Sequence, residues 1–171
     1  MLMNHIGQIP AIAAEKFGEK EALVFEGRSL SFSEINELVE RAAGGLSAEG
    51  VAQGDIVTLY AANSWEWVIS YYAIARLGAV INPVNTMLTP AEIEYVVQDC
   101  GAKAIIASPD KTAGIMGVIA TSDVSVIISF GDDIAKGAKS FNTLLAANKP
   151  APPPVEVAPE ALSTIGYTSG T

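Results

Sequence analysis

Short apolar runs alternate with stretches of helical periodicity along most of the chain, and glycines stand at the joins. Ala22 to Glu26 and Ser29 to Phe32, set about Gly27, predict a β-hairpin. Ile35, Leu38, Val39, Ala42 and Leu46 recur at helical spacing and predict a helix from Ser33 to Glu49. Ser31 and Glu34 are placed to form its capping box, and Gly50 to end it. Ile56 to Ala61 reads as a buried strand. The segment from Ser64 to Leu77 reads as a helix, with Asn63 and Glu66 placed to cap its start. Its body is apolar nearly all round, so it should be covered on several sides.

Gly78 closes that helix, and Ala79 to Asn82 is the next strand. Thr89, Pro90 and Glu92 supply a cap, a first-turn proline and a third-position carboxylate. The helix they open carries Ile93, Val96, Val97 and Cys100 on one face and stops at Gly101. Ala104 to Ala107 is a strand, Thr112 to Ala120 a weaker helix, Val124 to Ser129 a strand, and Phe141 to Ala147 a short helix. Five prolines lie between Lys149 and Glu160, so 149–160 is expected to be an extended linker within the domain. Ser163 to Tyr167 reads as one more strand.

Strands that alternate with helices imply parallel pairing through right-handed crossovers. The expected fold is therefore α/β, a doubly wound, mostly parallel sheet with flanking helices and a short amino-terminal β-hairpin. Ligands of such sheets bind at the carboxyl ends of strands. The last predicted strand delivers Thr168, Ser169, Gly170 and Thr171 to such an end.

Composition narrows the function classes. A net charge of −9 argues against a nucleic-acid surface. Charged residues make up 17% of the chain, below the roughly 25% of an average soluble domain, which suggests surface that expects to be covered. The single cysteine, Cys100, excludes an internal disulfide and sits on an apolar face, where a core role is favoured. No basic region followed by an apolar run opens the chain, and the apolar stretch Trp67 to Ala75 falls far short of the roughly 20 residues of a membrane span. A soluble, cytoplasmic protein with no transmembrane segment is expected.

Tyr167-Thr168-Ser169-Gly170-Thr171 places three threonine or serine hydroxyls and a glycine after a strand. Glycine lets backbone approach a ligand closely, and hydroxyl and N–H groups donate to phosphate oxygens. Taken alone, these residues read first as a polar turn after a strand. Leu30-Ser31-Phe32-Ser33-Glu34-Ile35 resembles the first core motif of the adenylate-forming (AMP-binding) enzymes. Leu77-Gly78-Ala79-Val80-Ile81-Asn82-Pro83-Val84-Asn85 is similar to their second, and Thr168 to Thr171 to the start of the third, their phosphate-binding loop. Gly50-Val51 with Gly54-Asp55-Ile56-Val57, Leu88-Thr89-Pro90 with Glu92-Ile93, and Asp99-Cys100-Gly101-Ala102-Lys103 match the segments between. The ordered set, over residues 8 to 171, carries the resemblance.

The resemblance implies an ATP-dependent ligase of the fatty-acid–CoA ligase kind. It would activate a carboxylic acid as an acyl-adenylate with ATP and Mg2+, then pass the acyl group to coenzyme A. Residues 1–171 would be the amino-terminal part of the large AMP-binding domain, breaking off inside the phosphate loop, with the carboxy-terminal lid domain outside. Thr168, Ser169, Gly170 and Thr171 would contact the β- and γ-phosphates, and no catalytic residue or metal ligand falls within the chain. These 171 residues alone are then expected to be inactive. They are also expected to self-associate through faces that later sequence covers, notably along Trp67 to Leu77 and the final strand.

Within the family, an acyl–AMP ligase, an aryl–CoA ligase or a peptide-synthetase adenylation domain are the alternatives. A free-standing binding or assembly module of the same fold is a reading of another class. A phospho-receiver domain would need acidic residues where Ala61, Ala62 and Asn82 stand. Other candidates have plainer readings: His5 as a surface residue, Asp132-Asp133 as a solvated pair, and Lys103 and Lys111 as ordinary exposed lysines. Trp65, Trp67, Tyr71 and Tyr72 read as packing residues.

Overall fold

The computed structural model describes residues 5–131 and 134–168. A single 3-10 turn, Ile6–Gln8, leads into α1 (Ile9–Phe17), and a hairpin of β1 (Glu21–Phe25) and antiparallel β2 (Arg28–Ser31) follows. The rest is a parallel sheet of β3 (Ile56–Tyr60), β4 (Val80–Pro83), β5 (Ala102–Ala107), β6 (Val126–Ser129) and β7 (Lys139–Ser140), in the order β4-β3-β5-β6-β7. The helices are α2 (Phe32–Ala48), α3 (Trp65–Arg76), α4 (Pro90–Cys100), α5 (Pro109–Ile115) and α6 (Phe141–Ala146).

Alternation along each strand divides the interior in two. Val57, Leu59, Ile81, Ala104, Ile106, Val126 and Ile128 pack with α2, α3 and α6. Tyr60, Ile105, Ala107 and Ile127 pack with α4 and α5 on the other face. Side chains of successive strand residues point to opposite faces, so near-continuous apolar strands require cover on both sides. The expected doubly wound α/β sheet is what the chain forms.

Local signals set the helix starts. The capping box of α2 is complete: Glu34 N–H donates to Ser31 Oγ, and Ser31 N–H donates to the Glu34 carboxylate at 2.7 Å. The same reciprocal pair, Thr89 and Glu92, opens α4, and Gly101 closes it in the left-handed conformation (φ +68°). Replacing Ser31 by alanine removes the acceptor of the Glu34 N–H and keeps the backbone half of the box, and the expected loss is about 1 kcal/mol of unfolding free energy, read by urea titration.

Several expectations need correction. The cap of α3 is Ser64, not Asn63 with Glu66: Ser64 is extended, and its Oγ accepts from Trp67 N–H at 3.1 Å. The helix expected over 112–120 begins at Pro109, a first-turn proline behind Ser108, and gives way at Met116 to a 3-10 turn running to Ala120. The strand expected over Ser163 to Tyr167 is one parallel bridge, Thr164 beside Ile81, because β4 ends at Pro83, which has no N–H to extend the ladder. The face expected to be bare along Trp67 to Leu77 is covered, with no residue of α3 exposed. His5 is half-buried, and its Nδ1 accepts from Gly7 N–H to cap the first turn. Burial holds its imidazole below the ordinary histidine range, with Arg76 adding to the effect. Lys103 and Lys111 are half-buried rather than exposed. Asp132 and Asp133 lie outside the described residues.

The proline-rich stretch after α6 forms no helix or strand through Ala158, yet it is laid on the domain as a strap. Arg76 Nη2 donates to Pro152 O at 3.0 Å, and Gln53 Nε2 donates to Glu156 O at 2.9 Å. Ala151 packs against the main core. The strap leads the chain from α6 across to the far edge of the sheet.

Candidate functional site

The second motif supplies the floor of the site. Gly78 turns out of α3 at φ +66°, and a Cβ there would meet the Val155 side chain of the strap at 2.7 Å. β4 then enters the sheet, and Asn82, fully buried, takes a position opposite Thr58 of β3. Thr58 Oγ1 donates to Asn82 Oδ1 at 2.9 Å, and Asn82 Nδ2 donates to Ile165 O at 2.9 Å. Cys100 Sγ lies 4.0 Å from the same Asn82 oxygen, in contact with the second core, and burial raises its thiol above the usual range.

The segment that leads to Thr168 is thus tied at its start by two backbone bonds, Ile81 N–H to Ser163 O and Ile165 N–H to Ile81 O. Two side chains tie its end: Asn82, and Tyr167, whose hydroxyl donates to the Asp99 carboxylate at 2.6 Å. Burial and the Asp99 bond together push the Tyr167 phenol far above its ordinary range, so it remains a donor. Thr168 emerges from this anchor exposed, at the carboxyl-end side of the sheet.

There it borders a cleft of about 470 Å³ whose walls include Val84, Leu88, Glu92, Tyr95 and Tyr167. The Glu92 carboxyl is held below the usual range by bonds from the Thr89 N–H and hydroxyl, so the acid belongs to the helix cap. Among the described residues no lysine or arginine lines this cleft. Of the four residues expected to bind phosphate, Thr168 is placed here, exposed, and Ser169, Gly170 and Thr171 lie outside the described residues. Among the described residues no group of three or more His, Cys, Asp or Glu stands close enough together to hold a metal ion. Trp65, Trp67, Tyr71 and Tyr72 pack against the main core, Trp67 and Tyr71 stacked at 5.3 Å.

Comparison with known proteins places this architecture. The family model described as "AMP-binding enzyme" matches residues 11–171, and the chain belongs to that family. It is 37% identical over 147 residues to 4-coumarate–CoA ligase 5 of Oryza sativa subsp. japonica, covering 85% of this chain and 26% of that protein. It is 34% identical over 145 residues to the long-chain-fatty-acid–CoA ligase FadD13 of Mycobacterium tuberculosis, covering 83% of this chain and 27% of that one. Among solved structures, the anthranilate–CoA ligase AuaEII in complex with anthranoyl-AMP superposes with a TM-score of 0.90 at 26% identity, over 99% of this chain and 33% of that one. The chain thus spans about a quarter of the length of these curated relatives. Its fold is that of the amino-terminal portion of adenylate-forming enzymes, and its relatives are acid–thiol ligases.

Proposed function

We propose that the protein carrying this chain is an ATP-dependent acyl–CoA ligase and that residues 1–171 are the amino-terminal part of its AMP-binding domain. A carboxylate oxygen attacks the α-phosphorus of ATP, and the bond to the bridging oxygen breaks, so pyrophosphate leaves and an acyl-adenylate remains. The coenzyme A thiol then adds to the acyl carbon, the bond to AMP breaks, and the thiol proton passes to solvent. Thr168, Ser169, Gly170 and Thr171 hold the β- and γ-phosphates through hydroxyl and N–H donors, keeping the leaving group in line. Mg2+ would neutralise phosphate charge, and no described residue is assigned to it.

The observation that carries this reading is the placement of Thr168. It follows a segment fixed at four points against the second motif and α4, so the loop starts from a rigid base. Preorganised donors cost no rearrangement when charge develops on the departing phosphates.

A fatty acid is the substrate class we favour, on the relationship to a long-chain-fatty-acid–CoA ligase. The relationship to a 4-coumarate–CoA ligase, 37% identical, supports an aromatic acid as the second reading. The test is the full-length protein with ATP, Mg2+ and coenzyme A against a panel of fatty, hydroxycinnamic and benzoic acids, with products identified by mass spectrometry. AMP and one acyl–CoA should appear in equal amounts for one class of acid. ADP as the nucleotide product would sink the reading. A cytoplasmic location belongs to the same proposal and is checked by fractionation.

The proposal includes self-association of the isolated 171 residues. Met87 and Tyr95 are 83% and 64% exposed, Tyr95 on the wall of the cleft, and exposed apolar side chains promote pairing. Light scattering should show dimers or larger species that the double substitution Met87→Lys, Tyr95→Lys reduces. A monomer at high concentration before any substitution would contradict it.

A further inference from the structure

Pro83 interrupts hydrogen bonding on β4 at a definite rung. Val80 and Val84 donate their N–H groups to Asp55 O and Leu59 O, on the β3 side. Ile81 faces the other way: its N–H donates to Ser163 O, and its carbonyl accepts from Ile165 N–H. Evenly spaced parallel bonding puts the next donor on that side at residue 83, aimed at Ile165 O. Proline has no N–H. The carboxamide of Asn82 stands in for it, donating to Ile165 O at 2.9 Å while its own oxygen accepts from Thr58. The orientation follows from chemistry, since a backbone carbonyl only accepts and the amide nitrogen must therefore face it.

We propose that Asn82 is the positioning residue of the phosphate loop, a side-chain donor that replaces the missing proline N–H and fixes the height and direction at which the chain leaves the sheet edge. The role of the loop rests on the proposed ligase activity; the role of Asn82 in holding residues 165–168 does not. Pro83 stops the strand, and Asn82 prevents the stop from loosening residues 165–168. Asn82 and Thr58 are fully buried, so the bond between them is shielded from water, and the bond to the half-buried Ile165 is shielded in part.

The geometry supplies its own rescue. In Asn82→Ala the carbonyl of Ile165 loses its donor. In the double variant Asn82→Ala, Pro83→Ala residue 83 regains an N–H in the right place. Amide hydrogen exchange on the 171-residue chain is the first readout. Asn82→Ala should speed exchange of the Ile165 N–H, which donates to Ile81 O, by about ten-fold, as loss of the neighbouring bond implies, with α2 unchanged. The double variant should recover most of that protection. Unchanged exchange in Asn82→Ala, or no recovery in the double variant, would overturn the proposal. Should Asn82→Ala fail to fold, folding of the double variant supports it, and failure of both contradicts it.

Steady-state kinetics of the full-length protein are the second readout. Asn82→Ala should raise KM for ATP about ten-fold, with smaller changes in kcat and in KM for the acid, and Pro83→Ala should reverse most of the rise. A fall in kcat alone, with KM for ATP unmoved, would contradict a positioning role. A wild-type protein that forms no AMP would refute the ligase reading, and the exchange experiment would still decide the role of Asn82.

Discussion

Gly44→Ala should destabilise the domain by about 2 kcal/mol, the reverse of the usual helix-interior result. Alanine in an open helix interior is more stable than glycine by about 0.5–1 kcal/mol, because it restricts the unfolded chain. At position 44 the methyl group would lie 2.0 Å from the carbonyl oxygen of Lys149 and 2.7 Å from its carbon. These are backbone atoms of the strap, so no rotamer change relieves the clash. Either the strap lifts or α2 moves off the sheet, and forced overpacking of this kind costs about 1–3 kcal/mol beyond the propensity gain. Gly117 is the control: a Cβ there meets nothing within 4 Å, and Gly117→Ala should stay within about 0.5 kcal/mol of the parent. Urea titration of both variants decides it. A stabilised Gly44→Ala protein would show that the strap does not rest on α2.

Glu40→Ala should cost about as much, because it strands a buried cation. Arg76 is 9% exposed, with Nε 2.8 Å and Nη2 3.2 Å from the two Glu40 carboxylate oxygens, and its Nη1 is buried without a partner among the described residues. Breaking a buried pair by removing one partner costs about 3–5 kcal/mol, whereas replacing both by apolar groups is often neutral. The Glu40 side chain is 36% exposed, so water screens part of the interaction, and a loss of about 2 kcal/mol is expected. The double variant Glu40→Leu, Arg76→Met should recover most of it, although the bond to Pro152 O is lost. Equal destabilisation in single and double variants would contradict the stranded-cation account, because Glu40→Ala leaves the Arg76 bond to Pro152 O in place.

Much of the fold was legible because its signals are local. The boxes at Ser31–Glu34 and Thr89–Glu92 span four residues each, and Gly101 marks its helix end by a conformation that other residues resist. What was missed is short or long-range. α1 went unread, although Pro10 and Gly18 bracket it, and β7 has only two residues. Ser64 and Asn63 are both acceptable caps by composition, and only the backbone geometry chooses between them. The prolines of 149–160 rule out helix and strand but carry no hint that Arg76, Gln53 and Gly44 hold the stretch in place. At the candidate site, motif order singled out Thr168, and the structure places it exposed after the anchored segment. The Asn82–Ile165 and Tyr167–Asp99 bonds join residues 83 and 68 positions apart, which no periodicity reveals. The Asn-Pro pair at the end of β4 was the available signal: a proline on the edge facing a further segment leaves a carbonyl unpaired, and the preceding asparagine can reach it.

The most direct test of the ligase account is acid-dependent exchange of labelled pyrophosphate into ATP by the full-length protein, without coenzyme A. Adenylation is reversible and comes before thiol transfer, so exchange should require ATP, Mg2+ and a cognate carboxylic acid, and nothing else. Replacing Thr168 and Thr171 together by valine removes two proposed phosphate donors, and the exchange should then fall about 100-fold, the scale expected for oxyanion contacts of this type. Exchange that proceeds without acid, or that the double valine variant leaves unchanged, would contradict the assignment of this loop to the phosphates of ATP.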